Sequence, residues 1–376
     1  MRRLSVTIVA LLFPATTLAV TPDFIPLGSL PGNTHPIFLS GAHAVSADGS
    51  TVVGVSESSS GREAFRWTAG GGMVGLGDLP GGAFNSDAQG VSGDGLVVVG
   101  DGVSTSMPRE AFRWTSGTGM VGLGLLPGGD LGSPDESVAQ AISSDGLVIV
   151  GEAKAQLPDG RISVQPFRLA DVGGMVSLGY LHTENPSGQA FGVSADGAVI
   201  VGISGRDAFR WTSSSGISTL AGLPSGARAW AVSGDGQVIV GDASPNAFAW
   251  TEAEGVVNLG VSGSGEAVSF DGSVIAGLGN FDGTGEAFIW HQGIGARRLE
   301  DVLTGLGLDV GDWTLDVQGM SADGTVLVGG GVNPNGEVEA WMAVVPLPEP
   351  HGALGVMSGL VLLLLLHRRR RYSVER

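Results

Sequence analysis

Several residue types are missing or scarce in this chain, and each absence narrows what it can be. The 376-residue sequence has no cysteine, so no disulfide bond can stabilise the fold in any compartment. Histidine is rare, and the four within the body of the chain (His35, His43, His182 and His291) match no metal-ligand spacing. We therefore predict no metal-binding residues and no cofactor, with Ca²⁺ at oxygen-rich turns as the one open alternative.

Basic residues are equally scarce between residues 20 and 350. There, 36 Asp and Glu oppose 11 Arg and a single lysine, Lys154, which gives a net charge of −24. A surface of that charge repels the phosphate backbones of DNA and RNA. The composition thus excludes nucleic acid as a partner.

Local catalytic motifs are also absent. The sequence has no G-x-S-x-G, the motif that presents a serine nucleophile on a sharp turn. Two G-x-G-x-x-G matches, at 70–75 and 117–122, lie in predicted hairpins, whereas a dinucleotide site needs a helix to follow. From these absences we predict that the protein is not an enzyme.

The chain instead repeats one nine-residue phrase seven times. It begins at 46 as SADGSTVVG and returns at 92, 143, 194, 233, 269 and 321. Asp-Gly forms a tight turn, and the Val/Ile run after it is typical of a buried strand. A second phrase follows, such as AFRWT at 64–68, and then a third, such as MVGLGDL at 73–79. Each unit thus holds four short strands, and seven units predict an all-β, seven-bladed β-propeller.

The ends of the repeat region indicate how the ring closes. The segment FIPLGSL at 24–30 resembles the fourth strand of a unit, but no first, second or third strand precedes it. The last repeat, in turn, has its first three strands and lacks a fourth. We predict that the N-terminal strand completes the last blade, which removes exposed sheet edges. The fourth strands at 256–260 and 296–302 are degraded copies.

Loop lengths distinguish two faces of the predicted propeller. The first-to-second and third-to-fourth connections keep their length and define a constant face, while all variation lies in the connections on the opposite, variable face. Variable loops on a rigid scaffold usually carry function, so we place the binding surface there. Tryptophans on this face would stack on sugar rings or, alternatively, pack over the channel mouth. The candidate binding residues are Trp230, Trp313, Arg228, Asp130, Asp135, Glu136, His182 and Glu184.

Both ends of the chain differ from the predicted propeller at 20–345. Residues 1–19 combine two arginines, an apolar stretch and small residues, so we predict a secretory signal peptide cleaved after Ala19. In residues 346–376, a proline-rich start precedes 15 apolar residues at 352–366 and an arginine cluster. We predict a C-terminal apolar transmembrane helix with the arginines on its cytoplasmic side, although about 20 residues span a bilayer comfortably. The residues that define the two ends of this tail, and that we predict to act as a sorting signal, are Pro348, Glu349, Pro350, Arg368, Arg369, Arg370 and Arg371.

This three-part tail resembles the PEP-CTERM sorting signal of Gram-negative bacteria. There, Pro-Glu-Pro, an apolar helix and a basic end direct an exported protein to a membrane processing enzyme, exosortase. The resemblance implies an exosortase-type enzyme as partner, transient anchoring in the inner membrane, tail removal, and delivery to the cell surface or extracellular matrix. A plain membrane anchor that is never cut is the alternative.

The body, over about 24–345, resembles the HAF-repeat family of extracellular bacterial proteins. Units of that family carry a His-Ala-Phe-like phrase before an apolar strand. No copy here has the histidine, since its position holds Glu63, Glu110, Asp207, Asn246 or Glu286. The resemblance implies an extracellular repeat protein without a defined activity.

Together these features predict an exported, surface-sorted propeller that acts as a non-enzymatic binding or structural component of the cell envelope or exopolysaccharide matrix. Its further partners would be exopolysaccharide or envelope proteins. The alternative is an extracellular polysaccharide hydrolase or lyase with its site on the variable face. Carboxylates gathered at the channel mouth would favour that alternative.

Overall fold

The computed structural model describes residues 20–129, 136–170 and 174–346. The chain divides between Val345 and Pro346, and all the described strands and the one described helix belong to the first unit. The predicted signal peptide and the tail beyond Pro346 lie outside the described residues, as do Asp130 and Asp135. Within the described ranges, no helix is long and apolar enough to cross a membrane.

Strands make up nearly all the regular structure. The first nine are β1 (Asp23–Gly28), β2 (Ser40–Val45), β3 (Thr51–Ser58), β4 (Gly61–Thr68), β5 (Gly72–Gly75), β6 (Gly81–Val91), β7 (Val97–Ser104), β8 (Glu110–Thr115) and β9 (Gly119–Gly122). The next nine are β10 (Ser137–Ile142), β11 (Val148–Gln156), β12 (Ile162–Ala170), β13 (Met175–Ser177), β14 (Gly188–Val193), β15 (Ile200–Ser204), β16 (Asp207–Thr212), β17 (Gly216–Thr219) and β18 (Arg228–Val232). The remainder are β19 (Ile239–Ala243), β20 (Asn246–Thr251), β21 (Gly255–Val268), β22 (Val274–Phe281), β23 (Thr284–His291), β24 (Gly295–Arg298), helix α1 (Leu299–Gly305), β25 (Thr314–Met320), β26 (Val326–Val332) and β27 (Val338–Val344).

Each repeat pairs its strands antiparallel in chain order. Three sheets have four strands: β10 to β13, β14 to β17, and β25 to β27 with β1. Two larger sheets each join two repeats, β2 to β9 and β18 to β24. In one of these, β21 runs unbroken from the fourth-strand position of one repeat into the first strand of the next. In the other, a single parallel pairing of Arg62 with Asn85 links β4 to β6.

The N-terminal strand joins the last repeat, as the sequence predicts. β1 pairs antiparallel with β27, from Asp23 opposite Val344 to Gly28 opposite Ala340. The Glu339 side chain accepts a hydrogen bond from the Gly28 amide at 3.0 Å. This pairing covers the edge that the outermost strand of the last repeat would otherwise expose.

The Asp-Gly turns of the seven repeated phrases are held by the same hydrogen bonds. At the first turn, Ser46 Oγ donates to Asp48 Oδ1 at 2.7 Å and accepts from the Thr51 amide at 3.0 Å. Asp48 Oδ1 also accepts from the Ser50 amide, and Gly49 has a φ of 74°. The Ser–Asp bond recurs in the other six turns, at Ser92, Ser143, Ser194, Ser233, Ser269 and Ser321. These aspartates are therefore turn formers.

Neighbouring turns are also hydrogen-bonded to one another in a closed series. The Ala47 amide donates to the Gly93 carbonyl at 3.1 Å, and the Ala322 amide returns to the Ala47 carbonyl at 2.9 Å. The intervening bonds run from Gly93 to Ser144, Ser144 to Ala195, Ala195 to Gly234, Asp235 to Phe270 and Phe270 to Ala322. The seven turns thus encircle one end of a central channel.

The core lies between adjacent sheets and is built on the third strands. Their phenylalanines are at most 1% exposed: Phe65, Phe112, Phe167, Phe209, Phe248 and Phe288. Phe65, for example, packs with Val52 of its own sheet and Val328 and Met342 of the last repeat. Burial of this alternating apolar side drives the sheets together.

One predicted strand is partly helical. The sequence predicts a degraded fourth strand at 296–302, but β24 ends at Arg298 and α1 follows. Leu299 and Leu303 are four residues apart and fully buried, so a helical turn places both in the core where an extended strand cannot.

Candidate active site

A β-bulge occurs at the same place in the first strand of all seven repeats. In each case the pairing register skips the residue three positions before the serine of the turn. The seven bulged residues line a cavity of about 250 Å³ in the channel. They are His43, Gln89, Gln140, Phe191, Trp230, Glu266 and Gln318. Bulges redirect side chains and are frequent beside active sites.

The glycine that ends each repeated phrase makes room for the bulge. A Cβ atom at Gly54 would lie 2.0 Å from the Gly41 carbonyl oxygen, which belongs to the bulged strand opposite. At Gly100 and Gly329 the corresponding distances are 1.9 Å and 1.7 Å. Backbone this close tolerates no side chain, so the glycine and the bulge form one structural device.

Glu266 is the most chemically distinctive group in the channel. Burial, reinforced by the negative charges of Asp316 and Asp242, raises the pKa of Glu266 to about 7. Ser264 and Arg228 oppose this shift without cancelling it. A carboxyl group with a pKa near neutrality can both give and take a proton at physiological pH, which is what general acid–base catalysis requires.

His43 lines the same cavity as Glu266, and Asp316 lies near enough for its charge to raise the pKa of Glu266. Burial raises the pKa of Asp316, and a hydrogen bond from Gln318 Nε2 and the charge of His43 oppose that shift. The His43 ring nitrogen Nδ1 lies 3.0 Å from the Ala88 carbonyl oxygen and 3.1 Å from Asp87 Oδ1. Burial disfavours the charged imidazole, but Asp87 outweighs it, so the pKa of His43 is raised. Because both neighbours of Nδ1 are acceptors, Nδ1 carries a proton.

Trp230, Arg228 and Asp242 line an adjoining cavity of about 280 Å³ on the other side of Glu266. Trp230 Nε1 donates to Asp242 Oδ1 at 2.7 Å, and Arg228 Nε donates to the same oxygen at 3.1 Å. The Arg228 guanidinium lies 4.9 Å from the Trp230 ring centroid, and Phe191 lies 4.5 Å from it. The tryptophan is thus anchored as a wall of the channel.

A further group of charged residues lies on β7, β11 and the loop before β8. Arg109 binds Asp101 with two hydrogen bonds, at 3.0 and 3.1 Å. Burial raises the pKa of Asp101 against the effect of Arg109. Burial likewise raises the pKa of Glu152, whose Oε2 atom is enclosed without a hydrogen-bond partner in the described part of the chain.

The structure brings only some of the predicted binding residues together. Trp230 and Arg228 share the channel wall, and Glu136 lies beside the Arg109 group, with Lys154 at 3.5 Å. Trp313 instead packs edge-on against Phe24 of β1, with ring centroids 5.4 Å apart.

The predicted pair His182 and Glu184 forms a separate cluster in the loop before β14. His182 Nε2 lies 2.6 Å from Asp207 and Nδ1 lies 3.6 Å from Glu184. Neither residue lines the two channel cavities described above.

Sequence reasoning missed Glu266, Asp316 and Asp242. A usable pattern exists, because each channel residue stands three positions before a Ser-x-Asp-Gly serine, as in AWAVS for Trp230 and EAVS for Glu266. Aligning the seven repeats on that serine and reading the residue three positions before it would have identified the seven channel residues. Among the described residues, no cluster of three or more His, Asp and Glu is arranged to hold a metal ion.

Comparison with known proteins shows similarity of fold alone. No family model and no curated protein is detectably similar in sequence. Oligogalacturonate lyase from Vibrio parahaemolyticus is 11% identical with a TM-score of 0.50, and the match covers 88% of this chain and 98% of the lyase. A prolyl endopeptidase is 13% identical (TM-score 0.53), and a puromycin hydrolase is 16% identical (TM-score 0.55). Each match covers 83% of this chain but only 51% and 55% of those two enzymes, so the chain spans about half their length.

These structures establish a β-propeller and correct two predictions. We predicted a non-enzymatic binding or structural component and no enzymatic activity. Both predictions are wrong by this comparison, since the solved structures that share the fold include a lyase, an endopeptidase and a hydrolase. The prediction relied on missing local motifs, but a propeller assembles its site from strands that are far apart in sequence.

Proposed function

We propose that this protein is a seven-bladed β-propeller enzyme that cleaves polysaccharide, as a hydrolase or a lyase, at the variable-face mouth of its channel. The seven bulges and the closed series of seven turns support the blade number. The oligogalacturonate lyase, whose length this chain nearly matches, is an example of sugar-chain cleavage on the same fold.

The proposal rests mainly on the position and the raised pKa of Glu266. It projects from a bulge into the channel, beside Asp316, with a pKa of about 7. Glycosidases usually break the glycosidic bond with two interacting carboxyl groups whose pKa values differ. In this role the protonated Glu266 gives its proton to the leaving oxygen, while Asp316 acts as the second carboxylate.

The test is cleavage of a polysaccharide panel by the full-length protein in mild detergent, read as new reducing ends and as absorbance of unsaturated products. We expect Glu266→Gln to lower kcat by at least about 100-fold. Glu254→Gln, an exposed acid in a turn on the constant face, is the matched control and should retain activity. Equal rates for Glu266→Gln and the unmodified protein, or no cleavage of any polysaccharide by the folded protein, would refute the assignment.

We also propose that the enzyme is exported and acts at the cell surface or in the extracellular matrix, as an HAF-like repeat protein with a PEP-CTERM-like tail. The support is the order of the three tail elements and the leader-like residues before Val20. Mass spectrometry of the protein from its own cells tests this. We expect an N-terminus at Val20 and loss of the arginine cluster, whereas an intact cytoplasmic chain would contradict the proposal.

A further inference from the structure

Glu266 and Trp230 lie on the border between two cavities, and this position limits how a sugar chain can reach Glu266. The channel cavity has a volume of about 250 Å³ and the outer cavity a volume of about 280 Å³. Both side chains line both cavities. Ser244 and Pro245, which connect β19 to β20, line the outer cavity and place it at the variable face. A glycosidic bond at Glu266 therefore has one sugar in each cavity.

The channel cavity has the size and the polar groups for a single sugar. Pockets for drug-sized ligands range from roughly 300 to 1,000 Å³, so this cavity suits a smaller ligand. Gln89 and Gln140 line it from the second and third repeats, whereas Glu266 comes from the sixth. Among the described residues, neither amide side chain has a hydrogen-bond partner. Amides both donate and accept hydrogen bonds, which matches the hydroxyl groups of a sugar.

An apolar ring forms the floor of the channel cavity. Its members stand two positions after the bulged residues, and six of them also line a cavity of about 150 Å³ at the constant face: Val45, Val91, Ile142, Val193, Val268 and Met320. Val45 and Val91 are only 9% exposed and Ile142 only 8%, so little open space separates them. A sugar that passed this ring would lose hydrogen bonds to water without replacement. The floor therefore ends the path of a sugar chain.

Phe270 narrows the constant-face end of the channel further. In the other six repeated phrases, the residue after the serine is small: Ala47, Gly93, Ser144, Ala195, Gly234 and Ala322. The Phe270 ring lies against Gly234, since a Cβ atom there would be 2.2 Å from Phe270 Cδ2. Phe270 also lines the cavity at that face. A sugar chain thus has access to Glu266 from the variable face and cannot be threaded through the channel.

We propose that the channel cavity is a subsite for the terminal sugar of a glycan chain and that the outer cavity holds the next sugar. This inference rests on the proposed function, because Glu266 is then the acid that acts on the linkage between these two sugars. Each cleavage releases the terminal sugar, and the internal linkages of a long chain stay intact. A chain that lay across the mouth would instead leave the channel cavity unused and be cut internally.

Gln140→Trp tests the subsite because it fills the channel cavity and leaves the residues of the outer cavity unchanged. Aromatic side chains occupy the equivalent position in two other repeats, as Phe191 and Trp230, so a bulge of this kind accommodates them. Gln292→Trp, the same substitution in an exposed turn on the constant face, is the matched control. Circular dichroism verifies the fold of each variant.

The first measurement follows product size while the full-length protein, in mild detergent, cleaves a polysaccharide of the panel. We expect single sugars from the earliest time point, while the remaining polymer keeps its length. Gln140→Trp should slow cleavage about tenfold or more, and Gln292→Trp should not. Long fragments among the first products, or an equal rate for Gln140→Trp, overturn the inference and leave the proposed function in place.

The second measurement is binding without turnover. Calorimetry with the Glu266→Gln protein and hexasaccharides of the same panel compares affinity with and without Gln140→Trp. We expect Gln140→Trp to weaken binding about tenfold or more. That result without cleavage by the unmodified protein refutes the proposed function alone. Binding that Gln140→Trp leaves unchanged, or no binding of any hexasaccharide, overturns the inference.

Discussion

The pH dependence of stability tests the environment of Glu266 without any knowledge of a substrate. Its pKa is about 7 in the folded protein and 4.5 as an ordinary value. The folded state therefore holds the proton more tightly than the unfolded chain. This contribution is fully present below pH 4.5 and is lost as pH rises to about 7, where folding must leave a charged carboxylate beside Asp316.

The size of the effect follows from that difference. Each pKa unit corresponds to about 1.4 kcal/mol, so the shift gives an upper limit of about 3 kcal/mol. Glu266 is partly solvated at the channel wall, which reduces the expected value to about 2 kcal/mol. Between pH 5 and 8, the unmodified protein should lose about 2 kcal/mol more unfolding free energy than Glu266→Gln.

Urea denaturation at the two pH values, followed by tryptophan fluorescence, provides the assay. The comparison with the variant cancels the contributions of titrating groups that do not interact with Glu266, so the difference reports Glu266 together with its coupling to Asp316. Glu184→Gln removes a side chain that is 77% exposed and should leave the pH dependence within about 0.5 kcal/mol of the parent. Parallel pH dependence in the parent and Glu266→Gln would refute the reasoning.

Three further predictions concern the scaffold. Phe112→Ala, which empties a fully buried site between sheets, should lower the unfolding free energy by about 3–5 kcal/mol in urea titrations; a loss below 1 kcal/mol would contradict the core assignment. Ser194→Ala removes the acceptor of the buried Val199 amide and should cost about 1–3 kcal/mol, measured in the same way, with Ser214→Ala in an exposed turn as control. Glu339→Ala leaves the Gly28 amide without its acceptor and should speed hydrogen exchange in β1 while β14 to β17 stay protected; unchanged exchange in β1 would show that the backbone pairing suffices.

The repeated phrases predicted the scaffold because their physics is local. Asp48 and Gly49 form the turn by bonds within five residues, and Phe65 and Trp67 alternate correctly for a strand with one buried side. The pairing of β1 with β27 was also predictable. The last repeat lacks its own fourth strand, and the chain begins with a fourth-strand segment that belongs to no complete repeat.

The site was less predictable because it depends on bulges and on long-range charge. Glu266 looks like an ordinary strand residue until the register skip between Gly265 and Ala267 turns it into the channel. Its pKa is raised first by burial and then by Asp316 and Asp242, which lie about 50 and 24 positions away along the chain. Sequence reasoning selected Trp230 and Arg228, which line a channel cavity, but it gave no sign that Trp313 packs against Phe24, which comes from the other end of the chain.

The pairing of β1 with β27 has a consequence for how the molecule assembles. Gly28 and Glu339 meet across 311 residues of chain, so this pairing forms only when the first and last strands of the ring come together, at a larger cost in chain entropy than a hairpin within a repeat. Until then β27 presents an unpaired edge, the kind of surface on which chains associate with one another. The six residues of β1 are therefore a built-in protection against aggregation, and the interval before they dock is the period in which the chain is most vulnerable.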